Sequence, residues 1–233
     1  MIEFADSLAT EAQRLGAARG HAFALTLRGE ARLLSGDLDE ADDDLAAGAR
    51  SHRAIGAATG EALALQRRAE VALYRGRPAE AIPLVRNALA TARESDVGYH
   101  TLDRIYGTIV AAAPDPRSAL AAIDEGESGI RGPAETCPTC RITFVVAAAI
   151  AAARAGDLER ARQYAENAET LTEVISLPPA WHAAVDEING HLAHATGSAA
   201  TASDHFRKAA DGFRACAQPL DEARCAALAA SSS

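Results

Sequence analysis

Gly36-Asp37-Leu38-Asp39-Glu40-Ala41 decides the fold, because the chain returns to the same pattern four more times. The counterparts are Gly76-Arg77-Pro78-Ala79-Glu80-Ala81, Pro114-Asp115-Pro116-Arg117-Ser118-Ala119, Gly156-Asp157-Leu158-Glu159-Arg160-Ala161 and Gly197-Ser198-Ala199-Ala200-Thr201-Ala202, at steps of 40, 38, 42 and 41 residues. Seven residues before each anchor stands Gly29, Ala69, Gly107, Ala149 or Gly190. Five after it stands an Ala in every case, and twelve after it Gly48, Ala88, Gly126, Ala168 or Ala209. Small side chains at fixed offsets let two antiparallel helices approach closely where they cross, which a stack of helix pairs needs in every unit.

Each unit therefore reads as helix A, a tight turn and helix B. In the first, helix A is expected from about His21 to Ser35 and helix B from Leu38 to about Ala54. The anchor Gly stops helix A in the left-handed conformation, and the following Asp or Ser is placed to cap helix B. Pro78 and Pro116 fall in the first turn of helix B, where a missing N–H costs nothing. Leu45, Val85, Ile123, Ala165 and Phe206, four beyond each anchor Ala, share its inward face.

The flanks fit the same scheme. Residues 15–22 repeat residues 55–62 at an offset of 40, so 1–20 is a half repeat or cap. Repeats follow at 21–60, 61–99, 100–137, 138–179 and 180–217, and 218–230 is a closing helix, making 1–233 one solenoid. Starting halfway through a unit is the expected appearance of a piece of a longer chain; single helices serving as caps are the other reading. Gly126, Gly129, Gly132 and Pro133 predict a long loop from about Gly126 to Pro138 between the third and fourth units.

Composition agrees with an all-α chain. Of 233 residues 48% are hydrophobic and only 4% aromatic, so the interior is built mainly from Ala, Leu, Val and Ile. A net charge of −9 repels phosphate backbones and argues against direct nucleic-acid binding. The longest largely uncharged stretch, Ile142 to Ala153, is too short to span a bilayer and reads as a buried helix. With no basic-then-apolar leader and four Cys in no disulfide-like framework, a reducing cytoplasm is the expected compartment.

The small residue before the turn, the Gly-Asp of Gly36-Asp37, and the alanines or glycines at Ala41 and Gly48 together resemble the tetratricopeptide repeat. The period departs from that family, being about 40 where the standard unit has about 34. Longer units of this kind are similar to those in large actinobacterial LuxR-type ATP-binding transcription regulators. Arg28-Gly29-Glu30-Ala31-Arg32-Leu33-Leu34-Ser35-Gly36-Asp37-Leu38 carries that likeness. The resemblance implies a right-handed superhelix, a bacterial regulatory setting, and ATPase and DNA-binding domains outside these residues. No phosphate-binding G-x-x-x-x-G-K-[ST] loop occurs within them.

In such repeats one side of helix A lines a concave groove, which here implies a partner-binding row of Thr26, Glu30, Gln66, Glu70, Tyr74, Arg104, Thr108, Arg154, Glu187 and His191. The row runs from acidic through basic and apolar to His-rich. It would complement a protein or peptide segment with a basic end and an apolar middle, another domain of the same full-length chain included. A solvated helix face is the plainer reading of the same residues.

Cys137-Pro138-Thr139-Cys140 is the one recognised short chemical motif. Two thiols at this spacing serve as inert loop thiols, as a redox-responsive disulfide, or as half of a zinc site completed across a homodimer or by His100. Glu187, His191 and His194 share a helix face and resemble metal ligands in spacing, without the order of a helical zinc protease. Trp181 reads as a packing anchor, Arg67-Arg68 as ion-pair partners of Glu61 or Glu70 or else a small anion site, and Asp39, Glu40, Asp42, Asp43 and Asp44 as charge at a helix N-terminus. No nucleophile–base arrangement emerges. The expected function is a non-catalytic interaction or ligand-sensing module without cofactor, the alternative a redox or zinc switch at Cys137 and Cys140.

Overall fold

The computed structural model describes residues 1–95, 97–130, 137–174 and 177–232. Among these the chain is all helix, without a strand. The elements are α1 (Ile2–Arg14), α2 (Ala18–Ser35), α3 (Leu38–Ala54), α4 (Ala58–Tyr74), α5 (Pro78–Ala92), α6 (Tyr99–Ala111), α7 (Pro116–Gly129), α8 (Pro138–Ala155), α9 (Leu158–Val174), α10 (Ala180–Ala195), α11 (Ala199–Ala215) and α12 (Pro219–Ser231). Every helix packs against the next in the chain. The even-numbered helices also touch in series, α2 on α4, α4 on α6, α6 on α8 and α8 on α10. They form one inner row, consistent with a helical repeat stack.

The turns explain why the units recur. Gly36 ends α2 at φ 89°, its N–H bonding Leu33 O at 3.2 Å while Asp37 N–H reaches back to Arg32 O at 2.9 Å. An L side chain at that φ would be strained, so glycine suits the stop. The third unit has Pro114 at its anchor and solves the turn differently. Asp115 is extended there, and its carboxylate accepts the Ser118 N–H at 2.9 Å with Pro116 in the first turn. Capping by the residue after the anchor is otherwise uneven. Asp157 accepts from Arg160 N–H at 3.2 Å, but Asp37 and Ser198 make no side-chain cap bond. Their backbones, near φ −81°, ψ 68° and φ −92°, ψ 68°, lie outside the extended region that turns a cap side chain onto the helix end.

The small residues at the three offsets are all buried. Ala69, Ala149, Ala81, Ala161, Ala202, Ala88, Ala168 and Ala209 expose nothing. At the glycines a methyl group has no room. A Cβ on Gly29 would stand 2.6 Å from Leu45, on Gly48 2.6 Å from Thr26, on Gly190 2.6 Å from Phe206, and on Gly107 2.8 Å from the Thr143 carbonyl oxygen. Close crossing here is backbone against side chain, and at Gly107 backbone against backbone. Leu45, Val85, Ile123, Ala165 and Phe206 are likewise buried.

The largest apolar cluster reaches from α3 to α10, with Ile105, Tyr106, Ile123, Ile142 and Phe144 fully enclosed. Trp181 packs against it from the start of α10. The stretch expected to be loop from Gly126 is helix as far as Gly129, and Pro138 opens α8. Gly126 and Gly129 are small because Phe144 and Tyr106 lie directly against them, not because the chain turns there. Gly132 and Pro133 lie outside the described residues. At the far end the inner row meets itself: α12 touches α2, with Pro219 and Leu220 against Gly36.

Candidate functional site

The inner row brings the expected groove residues together but buries several of them. Thr26, Gln66, Thr108 and Glu187 are enclosed. Thr26 bonds Ala22 O at 3.1 Å, and Gln66 donates from Nε2 to Thr108 Oγ1 at 2.8 Å, joining α4 to α6. Glu30, Glu70, Arg104 and His191 are half-buried, while Tyr74 and Arg154 reach the surface. Their polar ends largely serve one another.

A repeated ionic rung holds the row. An acid on one inner helix pairs with an arginine 37 or 38 residues later on the next: Glu30 with Arg67, Asp103 with Arg141 at 3.1 Å, and Glu187 with Arg224 at 2.7 Å. Around the first rung, Arg67 also binds Glu70 at 2.6 Å and Arg104 stands 3.8 Å from Glu30. Burial favours the protonated form of Glu30, yet Arg67 and Arg104 outweigh it and hold the carboxyl below its ordinary range. The second rung is the reverse. Burial pushes Asp103 up against the pull of Arg141, and its Oδ2 has no partner among the described residues. At the third, Arg224 bridges Glu187 and Asp221, and Tyr74 donates to Asp221 at 2.7 Å, so α4 is tied to α12.

Exchanging Glu30 or Glu70 for Lys would therefore place another cation beside Arg67. The change would test stability before it tested a partner. The acidic run of α3 is also more than terminal charge. Asp44 is buried and accepts both Arg28, at 2.5 Å, and Arg32, at 2.7 Å, while Asp42 pairs with Arg68 at 2.6 Å and Asp39 with Arg75. A spacing of 37 or 38 between acid and arginine is the signal of the rungs in the sequence.

The second constellation is Cys137 and Cys140. Cys137 is the N-cap of α8, its carbonyl accepting the N–H groups of Cys140 and Arg141 at 2.8 Å each. Its Sγ lies 3.1 Å from the Thr139 hydroxyl. Burial disfavours the thiolate, but hydrogen bonds from Thr139, His100 and Cys140 outweigh it and hold Cys137 down to about 6. Burial and the neighbouring Cys137 push Cys140 up, while Arg104 of α6 pulls the other way. Both residues are partly exposed, whereas Cys225 is fully enclosed and raised by burial to about 12.

Among the described residues no group of three or more His, Cys, Asp and Glu is placed to hold a metal ion. Glu187 is committed to Arg224, and His191 meets Phe206 edge-on at 5.1 Å between ring centres. Burial lowers His191 to about 4, with Glu187 opposing and Arg154, Arg224 and His194 adding to it. No helix among the described residues is long and apolar enough to cross a membrane. A scan against protein-family models returned no match, and a search of curated proteins likewise returned none.

Proposed function

We propose that this chain is a non-catalytic interaction module, a right-handed tetratricopeptide-like superhelix that binds a protein or peptide segment along its inner helices. A bacterial cytoplasmic regulator is the setting, and another domain of a longer chain is among the partners that fit. The observation that supports this reading is convergence. Polar side chains of α2, α4 and α6 meet around Glu30, Arg67, Glu70 and Arg104, and α4 meets α12 through Tyr74, Asp221 and Arg224, so neighbouring inner helices share polar contacts along the row. Tyr74 and Arg154 reach solvent, and Ile150 and Val146, four and eight residues before Arg154 on α8, are half-buried. A surface of this kind suits an extended or helical segment, whose apolar side chains supply affinity and whose charges set register.

A photo-crosslinking residue at Arg154, and separately at Arg117 on the exposed side of α7, tests the assignment in the native host. Partner crosslinks formed from position 154 and not from 117 support the inner row. Equal yield from both, or none from 154, removes it.

A further inference from the structure

We propose that Cys137 and Cys140 form a dithiol site that reacts with small-molecule disulfides, Cys137 attacking and Cys140 resolving. This goes beyond the interaction reading and stands on different residues. Three features of the geometry carry it. Cys137 is the N-cap and Cys140 lies in the first turn of an 18-residue helix, and at that spacing of three the Cα atoms are about 5–6 Å apart, inside the range a disulfide bridges. Their surroundings differ: Cys137 has the Thr139 hydroxyl at 3.1 Å and His100 of α6 as hydrogen-bond partners, while Cys140 faces Arg104, one turn further along α6. Both remain accessible, unlike the enclosed Cys225.

The asymmetry divides the labour. The Cys137 thiolate attacks one sulfur of a small disulfide R–S–S–R, forming a Cys137–S–S–R bond as the original S–S bond breaks and the first R–S⁻ leaves, to be protonated by water. Cys140 then gives up its proton and attacks Cys137 Sγ, forming the Cys137–Cys140 bond and expelling the second R–S⁻. The protein dithiol is oxidised by two electrons and one small disulfide is reduced to two thiols. The positive end of α8 and the hydroxyl favour charge on Cys137.

Oxidised glutathione is the probe, applied to the whole reduced chain with peptide mapping under non-reducing conditions. The unaltered protein is expected to end with a Cys137–Cys140 bridge and two glutathione thiols released per chain. C140S should accumulate the adduct on Cys137, and C137S should form little on Cys140. At pH 6 the C140S adduct should form about tenfold faster than on a cysteine in an unstructured peptide. That figure combines a thiolate excess of roughly 150-fold with the lower nucleophilicity of a more acidic thiol. Early acid-quenched samples of the unaltered chain report which sulfur is attacked first, independently of how the variants fold. Glutathione found first on Cys140, equal reaction of the two serine variants, or a stable adduct that never closes would each overturn the proposal.

Discussion

The α2–α4 joint and the α6–α8 joint occupy equivalent places in successive stretches of one repeat, yet they are held by different physics. The first is ionic: Arg67 lies between Glu30 and Glu70, and Arg104 approaches from the next helix. The second is a close-packed seam in which Gly107 rests on the backbone of Thr143 and Phe144, with Ile105, Tyr106 and Val145 buried around it. It carries an acid–arginine rung too, but there burial raises Asp103 instead of the arginine lowering it. Small residues set how closely the helices come together; what fills the gap differs from joint to joint.

The largest separation between the two should come from removing charge. Arg67→Met leaves two half-buried carboxylates facing each other and is expected to cost about 3 kcal/mol in urea unfolding. Adding Glu30→Gln and Glu70→Gln should return part of that loss, since the two unpaired carboxylates are gone and only Arg104, 3.8 Å from Glu30 in the parent, is left without its acid. A single variant as stable as the parent would mean that the rung does not hold the joint. Volume should govern the other seam. Gly107→Ala gains about 1 kcal/mol of helix preference but puts a methyl 2.8 Å from the Thr143 oxygen, so a net loss of about 1–2 kcal/mol is expected. Tolerance of alanine there would show the seam to be looser than described.

Acid should move the joints in opposite directions. Glu30 is held below its unfolded value, so its stabilisation is present above about pH 4.5 and is lost as pH falls through the folded value. Asp103 is raised, so between its unfolded value near pH 4 and its higher folded value the native state binds the extra proton, and stability rises as pH falls. Glu30→Gln should therefore flatten the acid loss and Asp103→Asn should steepen it, in thermal or urea melts followed from pH 7 down through 4. Shifts of the same sign in both variants would contradict the distinction.

How much of this was legible follows from which signals repeat. The turns and crossings recur at fixed offsets, so α3 appears over Leu38–Ala54 as expected and Ile142–Ala153 lies inside α8. The glycines of α7 misled because a helical glycine packed beneath Tyr106 or Phe144 has the same letter as one in a loop. Position on a helix face marks the groove residues in the sequence but says nothing of whether Gln66 is enclosed by α6 or Tyr74 is met by α12. The contact of α12 with α2 depends on curvature summed over the whole row, a quantity no single unit encodes. Cys137 was visible as a motif, but its difference from Cys140 arises from Thr139 and from α6.

One turn breaks the rule and supplies the smallest effect. Ala217 adopts φ 56°, at the place after α11 where Gly56 stands after α3, so the left-handed stop is made without glycine. Ala217→Gly should raise stability by about 1 kcal/mol, read as a higher urea midpoint with unchanged slope. No gain would mean that the position carries no strain.

The account rests on small side chains marking the crossings, and α5 offers a direct measurement. Ala81 is fully enclosed at one of the repeated offsets, while Ala79, two residues earlier on the same helix, is exposed. Urea unfolding of Ala81→Leu should show a loss of about 2 kcal/mol or more, against no more than about 0.5 kcal/mol for Ala79→Leu. Equal losses at the two positions would contradict the packing on which every unit has been described.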